Sequence, residues 1–246
     1  MTAGFARARY RVDNYLYLLV EGGEAVLVDP GDPEAAMALA VAHGVTPRWI
    51  VHTHGHADHT GGTAALRARL GATVVGHGAD AGWFAPDLDL AGQSEVALGG
   101  LGLRVHHVPG HTPGSVLLEW HGRLLTGDTL FWGGCGNCRH GGDPVQLAGS
   151  LLGVVGRLDG ALEVHPGHDY ALANLPFALE LDPASEAARR RLEQVRAAKR
   201  AGKEPPPSTL AEERAGNPFL RGQSVEEFVA LRARRDEWTP RPTVPE

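Results

Sequence analysis

Again and again in the first 170 residues, a short apolar run ends in a glycine-flanked turn that carries a histidine or an aspartate. The densest case is WIVHTHGHADHTGG (49–62), where a segment suited to a buried strand opens onto His54, His56, Asp58 and His59. LRVHHVPGHT (103–112) leads to His111, RLLTGDTL (123–130) to Asp128, and ALEVHPGH (161–168) to His168. A chain that repeats strand, turn and polar side chain in this order is driven towards sheets whose strand ends gather at one edge. Loops on a rigid frame are where chemistry-bearing side chains are displayed.

The segments between these turns complete an α/β pattern. YLYLLV (15–20) and AVLVDPG (25–31) read as a strand pair turning at Gly22-Gly23. DPEAAMALAVAHG (32–44) reads as a helix with Asp32 as cap, Pro33 in its first position and Gly44 past its end. A further helix is expected over 61–71, strands over 72–77 and 115–120, and a helix over about 145–158. With 246 residues and 43% apolar content the chain can bury a large core, and the alternation predicts sheets covered by helices. Beyond Tyr170 the sequence turns helix-rich and is broken by Pro205-Pro206-Pro207 and Asn217-Pro218. Residues 1–170 are therefore expected to form the catalytic domain and 171–246 a helical, substrate-binding appendage without strands, ending in a disordered TPRPTVPE tail (239–246).

A formal charge of −6 argues against a nucleic-acid partner. The longest early apolar run, YLYLLV, is stopped by Glu21, too short for a secretory core, and nothing approaches a membrane span. The two cysteines, Cys135 and Cys138, offer no disulfide framework. A cytoplasmic protein without nucleic-acid or membrane partners is the expectation. The basic run RRRLEQVRAAKRAGK (189–203) reads as a solvated helix face.

H-x-H-x-D-H carries the chemistry. In an extended segment His54 and His56 project to one side and can share a metal, whereas Asp58 and His59, at the start of a helix, diverge enough to reach a second. His111, Asp128 and His168 are the remaining candidates, and Asp128, with two oxygens, is the group suited to bridge. The other histidines, His43, His52, His77, His106, His107 and His121, read as hydrogen-bonded core residues. Two divalent metals are implied; zinc leads, and the same donors accept iron or manganese.

THGHADHTGG, PGHTPGS, TGDTLF and GHDY together resemble the metallo-β-lactamase superfamily across residues 13–170. That resemblance implies an αββα sandwich with metals at the sheets' edge. GDTLFWGGCG, GHDYALANLPFA, STLAEERAGNPFLR and VALRARRDEW look more narrowly like glyoxalase II, the hydroxyacylglutathione hydrolases. By that pattern His54, His56 and His111 hold one metal, Asp58, His59 and His168 the other, and Asp128 bridges, with a metal-bridging hydroxide held by Asp58 and Asp128 as nucleophile. The reaction it implies is hydrolysis of a small-molecule acyl thioester of glutathione or another low-molecular-weight thiol. A thiol leaving group, with a pKa of about 8.5, departs with little acid assistance.

The resemblance makes Tyr170 a contact for the thiol. It also implies a basic residue immediately after GCG and an aromatic two positions on, where this chain has Asn137 and Arg139. Those two, with Cys138, are the expected substrate contacts. The rival expectation is a persulfide dioxygenase of the same superfamily, with one non-haem iron on His56, His111 and Asp128.

Overall fold

The structure, a computed structural model, describes residues 3–222 and 224–239. It contains two six-stranded sheets packed face to face. The first runs in the order β1 (Gly4–Tyr10), β2 (Asn14–Glu21), β3 (Glu24–Val28), β4 (Trp49–Val51), β5 (Thr73–Gly76) and β6 (Leu88–Asp89). β1 to β3 are antiparallel neighbours, and from β3 to β6 the pairing is parallel. In the second sheet β7 (Glu95–Leu98), β8 (Leu101–His107), β9 (Val116–Trp120) and β10 (Arg123–Gly127) are antiparallel. A short ribbon of β11 (Leu130–Phe131) and β12 (Gly134–Cys135) follows, and β13 (Glu163–Pro166) then pairs parallel with β10.

The apolar run of β2 is explained by burial on both faces. Tyr15, Tyr17 and Leu19 face the core between the sheets, whereas Leu16 and Leu18 join Leu27, Ile50, Ala36 and Leu66 beneath α1 (Pro33–Ala42) and, past the short α2 (Ala57–Thr60), α3 (Thr63–Leu70). A strand covered on both sides needs no polar alternation. The α1 cap is as expected, since Asp32 accepts from the Glu34 and Ala35 amides. Asp143 caps α4 (Pro144–Ala148) in the same way, but the helix expected over 145–158 widens into a π segment (149–154) and closes as a 3-10 turn (155–157).

Beyond the expected strands the sheets also hold β6, β7 and the ribbon strand β12, and two more that the sequence conceals. β1 alternates alanine and arginine and hides its apolar content, and β14 (Ser208–Thr209), inside the helical region, pairs with β13 at the edge of the second sheet. The appendage is therefore not strand-free. Its helices α5 (Ala171–Leu181), α6 (Glu186–Arg200), α7 (Leu210–Gly216) and α8 (Val225–Glu237) supply Leu175, Phe177, Leu192, Leu210 and Phe228, and the 3-10 turn 218–220 supplies Phe219, to the same cluster that fills the space between the sheets. The basic run is not wholly solvated either. Arg191 is buried over the Trp132 ring, and Lys199 pairs with buried Asp169, which also takes Arg9. No helix among the described residues is long and apolar enough to cross a membrane. Of the expected tail, residues from 240 onward lie outside the described residues.

Of the histidines read as core, only His52 and His77 are buried; His106 is half-buried, and His43, His107 and His121 lie at the surface. One histidine in the core was not singled out. His165, on β13, is packed edge-on against Phe5 and Tyr17, and burial, reinforced by Arg7 and Arg123, lowers its pKa to about 3. Above pH ~6.5 folded and unfolded chains are both neutral at this ring, and it adds no pH dependence. As the pH falls the unfolded chain takes up the proton first, so stability is lost by up to about 1.4 kcal/mol per pH unit. His165→Phe is expected to gain stability relative to the wild type between pH 6.5 and 4.5 in urea unfolding curves. Parallel pH dependences would contradict the assignment.

Candidate metal centre

The candidate ligands stand where the strand pattern put them, just past the ends of β4, β8, β10 and β13. The turn after β3 contributes Asp29, held in a left-handed conformation (φ 50°) and buried. Two residues on, Gly31 lies so close to the next turn that a Cβ there would be 1.8 Å from the Asp58 carbonyl oxygen. Glycine at this position is what lets the Asp58 turn seat against the sheet. The Tyr10 hydroxyl donates to that same carbonyl at 2.5 Å.

Two groups of ligand atoms result, His54 with His56 and His111, and Asp58 with His59 and His168, each within 4.8 Å. His111 Nε2 lies 3.0 Å from His56 Nδ1, and His59 Nε2 lies 3.1 Å from His168 Nε2. Asp128 reaches both groups: Oδ1 is 3.3 Å from His59 Nε2, and Oδ2 is 3.4 Å from His168 Nε2 and 3.6 Å from His111 Nε2. Asp58 Oδ2 is 3.2 Å from His168 Nε2.

What these nitrogens do is settled on the far side of each ring. His59 Nδ1 donates to Asp29 Oδ2 (3.3 Å), His168 Nδ1 to Asp13 Oδ1 (2.9 Å), and His111 Nδ1 to the Asn137 carbonyl (2.7 Å). His56 Nε2 donates to the His140 carbonyl (3.1 Å), and His54 Nδ1 to Thr53 Oγ1 (3.1 Å), which itself donates to Asp29. With the hydrogen fixed outward, the inward nitrogens present bare lone pairs to one another. Such an arrangement is repulsive unless a cation sits between them, either a metal ion or, in its absence, a proton drawn onto one of the rings. The buried His54 Nε2 and Asp128 Oδ1 also have no hydrogen-bond partner.

Charge points the same way. Burial opposes protonation of His168, yet Asp128, Asp58 and Asp13 outweigh it and push its pKa up to about 9. Burial also works against the Asp58 anion, but His168, His59 and Asn14 hold it well below the usual carboxylate range. On the other group, burial and the neighbouring imidazoles keep His54 neutral, and His111 falls to about 4. The carboxylates thus call for positive charge that the imidazoles cannot all supply, and the donor set fits two metal ions. Asp29 itself is no ligand, because its oxygens are taken by the Thr53 amide and hydroxyl and by His59.

Beside this centre Tyr170 stacks on His168 (4.7 Å, 7°) and lies edge-on to Phe131 (5.0 Å). It borders a pocket with Asn137, Arg139, Arg232, Arg235, Asp236, Asn174 and Cys135. Of the expected substrate contacts, Tyr170, Asn137 and Arg139 line it; Cys138 is not among the lining residues and packs against the core, and Cys135 takes its place. Arg232 and Arg235, on α8, escaped the sequence reading. Arg232 donates to the Cys135 carbonyl and to Asp236, both at 2.8 Å, and Arg235 donates to Asn174 Oδ1 and lies over the Phe177 and Trp238 rings. An arginine at helical spacing on an otherwise charged helix has no local sign of facing inward.

The family models match in tandem: the metallo-beta-lactamase superfamily over residues 10–170 and the hydroxyacylglutathione hydrolase C-terminus over 169–238. A hydroxyacylglutathione hydrolase of Anaeromyxobacter dehalogenans (strain 2CP-C) is 66% identical over 94% of this chain and 98% of its own. Among solved structures, ETHE1 from Myxococcus xanthus is 29% identical, with a TM-score of 0.73 over 97% of this chain and 92% of that one. TTHA1623, in a di-iron-bound form, is also 29% identical, with a TM-score of 0.62 over 84% and 95%.

Asp29→Asn removes the charged acceptor behind His59 while keeping its size. Metal affinity, measured by competition with a chelator, is expected to fall roughly 10–100-fold. Wild-type affinity in a folded variant would mean that the carboxylate does not orient the ligands.

Proposed function

The chain belongs to the metallo-β-lactamase superfamily, and we propose that within it this protein hydrolyses acyl thioesters of glutathione to a carboxylic acid and the free thiol. The observation that carries the reading is the adjacency of the paired ligand groups to a cationic pocket bordered by Tyr170. His54, His56 and His111 would hold one metal, Asp58, His59 and His168 the other, and Asp128 would serve both, with zinc the first choice and iron or manganese accepted by the same donors. When bound, such a pair supplies a water made nucleophilic at neutral pH and an electrophile for the thioester carbonyl.

The protein's own groups do the rest. Asp29 and Asp13 keep the outward protons on His59 and His168, so the inward nitrogens are the ones turned to a metal, which would displace the proton held on His168. Arg232 and Arg235, fixed by Asp236 and Asn174, offer preformed positive charge to the carboxylates of a tripeptide thiol. Burial, and then the Asp128 charge, keep the Tyr170 hydroxyl protonated, and it can donate a hydrogen bond to the departing sulfur. A thiolate needs no stronger acid.

In this reading residues 1–170 carry the metals and 171–246 supply Arg232 and Arg235 to the pocket. The free thiols Cys135 and Cys138 fit the reducing cytoplasm. The mononuclear alternative on His56, His111 and Asp128 would leave Asp58, His59 and His168 converging with no cation between them, which disfavours a dioxygenase.

Metal-loaded protein is expected to release thiol from lactoylglutathione. Arg235→Ala is expected to raise KM about tenfold or more, with a smaller effect on kcat, as for a charged contact made equally in ground and transition states. No thiol release from lactoylglutathione or any other acyl thioester would sink the reading.

A further inference from the structure

Trp83 lies beside the metal centre, 46% exposed, and neither supplies a ligand atom nor lines the cationic pocket. Exposure of one apolar side chain is ordinary on a protein surface, and what sets Trp83 apart is that it is held against the ligand motif. It is not a flexible residue on a loose loop. Its amide donates to the Asp80 carbonyl, and the fully buried Asp80 carboxylate accepts from the Gly55 and Gly114 amides and from the Thr112 hydroxyl. One carboxylate therefore fastens the Trp83 turn to the turn carrying His54 and His56 and to the turn after His111.

The indole also sits directly on the ligand motif. A Cβ at Gly55, between the two ligand histidines, would lie 2.6 Å from Trp83 Cε3, so the ring packs on that peptide only because the residue is glycine. The ring is edge-on to His56 (6.0 Å, 84°), and its far edge meets Gly141.

Position relative to the cationic pocket gives Trp83 its role. That pocket lies on the Tyr170 and His168 side of the centre, whereas Trp83 lies on the His56 side. The segment 135–141 runs between them, lining the pocket with Asn137 and Arg139 and reaching Trp83 at Gly141. A thioester with its thiol carrier in the pocket and its carbonyl at the ligand groups would extend its acyl substituent towards the opposite rim.

We propose that Trp83 is the apolar wall of the acyl subsite and selects for acyl groups with a bulky apolar or aromatic substituent at the α-carbon. This rests on the thioester-hydrolase reading above. An aromatic substituent gains offset or edge contact with the indole that a methyl group cannot reach.

The test compares mandeloylglutathione with lactoylglutathione in wild type, Trp83→Ala and Trp83→Phe, with metal content measured in each. The ratio of the two kcat/KM values is expected to fall about tenfold in Trp83→Ala and to recover in large part in Trp83→Phe. A second measurement needs no turnover: calorimetric affinity of the metal-loaded proteins for S-benzylglutathione relative to S-methylglutathione should fall in parallel. Unmoved ratios in both measurements, or equal loss on both substrates, would overturn the subsite while leaving the hydrolase reading intact. A wild-type protein that cleaves neither thioester would overturn both.

Discussion

The structure depends on hydrogen bonds made on the far side of the imidazoles. Asp29, Asp13, Thr53 and the carbonyls of Asn137 and His140 each take an outward N–H, and so fix which nitrogen of every ring is bare and where it faces. Lone pairs held about 3 Å apart in a buried space are costly without a cation, and that cost is set by the fold before any metal arrives. The sheets exist, in this sense, to bring those acceptors to one edge. Asp29 follows β3, Asp13 joins β1 to β2, and Asn137 and His140 follow β12.

Asp29 shows how tightly this frame is drawn. Burial alone would raise its pKa, but the imidazoles of His52 and His59 beside it hold it ionised, well below the usual range. Its two oxygens tie the strand-end peptide at Thr53 to His59, and Gly31 allows the Asp58 turn to close over it. The C-terminal helices complete the same frame from the other side, through Lys199 on Asp169, between His168 and Tyr170, and through Arg232 on the Cys135 carbonyl.

How much of this the sequence disclosed follows from where each signal lies. The ligands were legible because H-x-H-x-D-H is local and the partners recur after apolar runs, and β2, β3, α1 and α3 were legible from periodicity and caps. Asp29 and Asp13 were not singled out, because their partners lie 30 and 155 residues away and only the folded chain brings them together. Arg232 and Arg235 looked like any charged helix surface, β14 is only two residues long, and Trp83 sits in a loop with no pattern around it. Cys138, expected as a contact from the GCG loop, is half-buried against the core, and it is the buried Cys135 that borders the pocket.

Both ligand groups share Asp128, and each is complete in its outward bonds, so the account requires that both be filled. Quantitative metal analysis of the purified chain, stripped and then reloaded, tests this most directly. Two ions per chain, bound by the wild type and reduced when either His56 or His168 is replaced, is the predicted result. Saturation at one ion per chain, indifferent to His168, would contradict it.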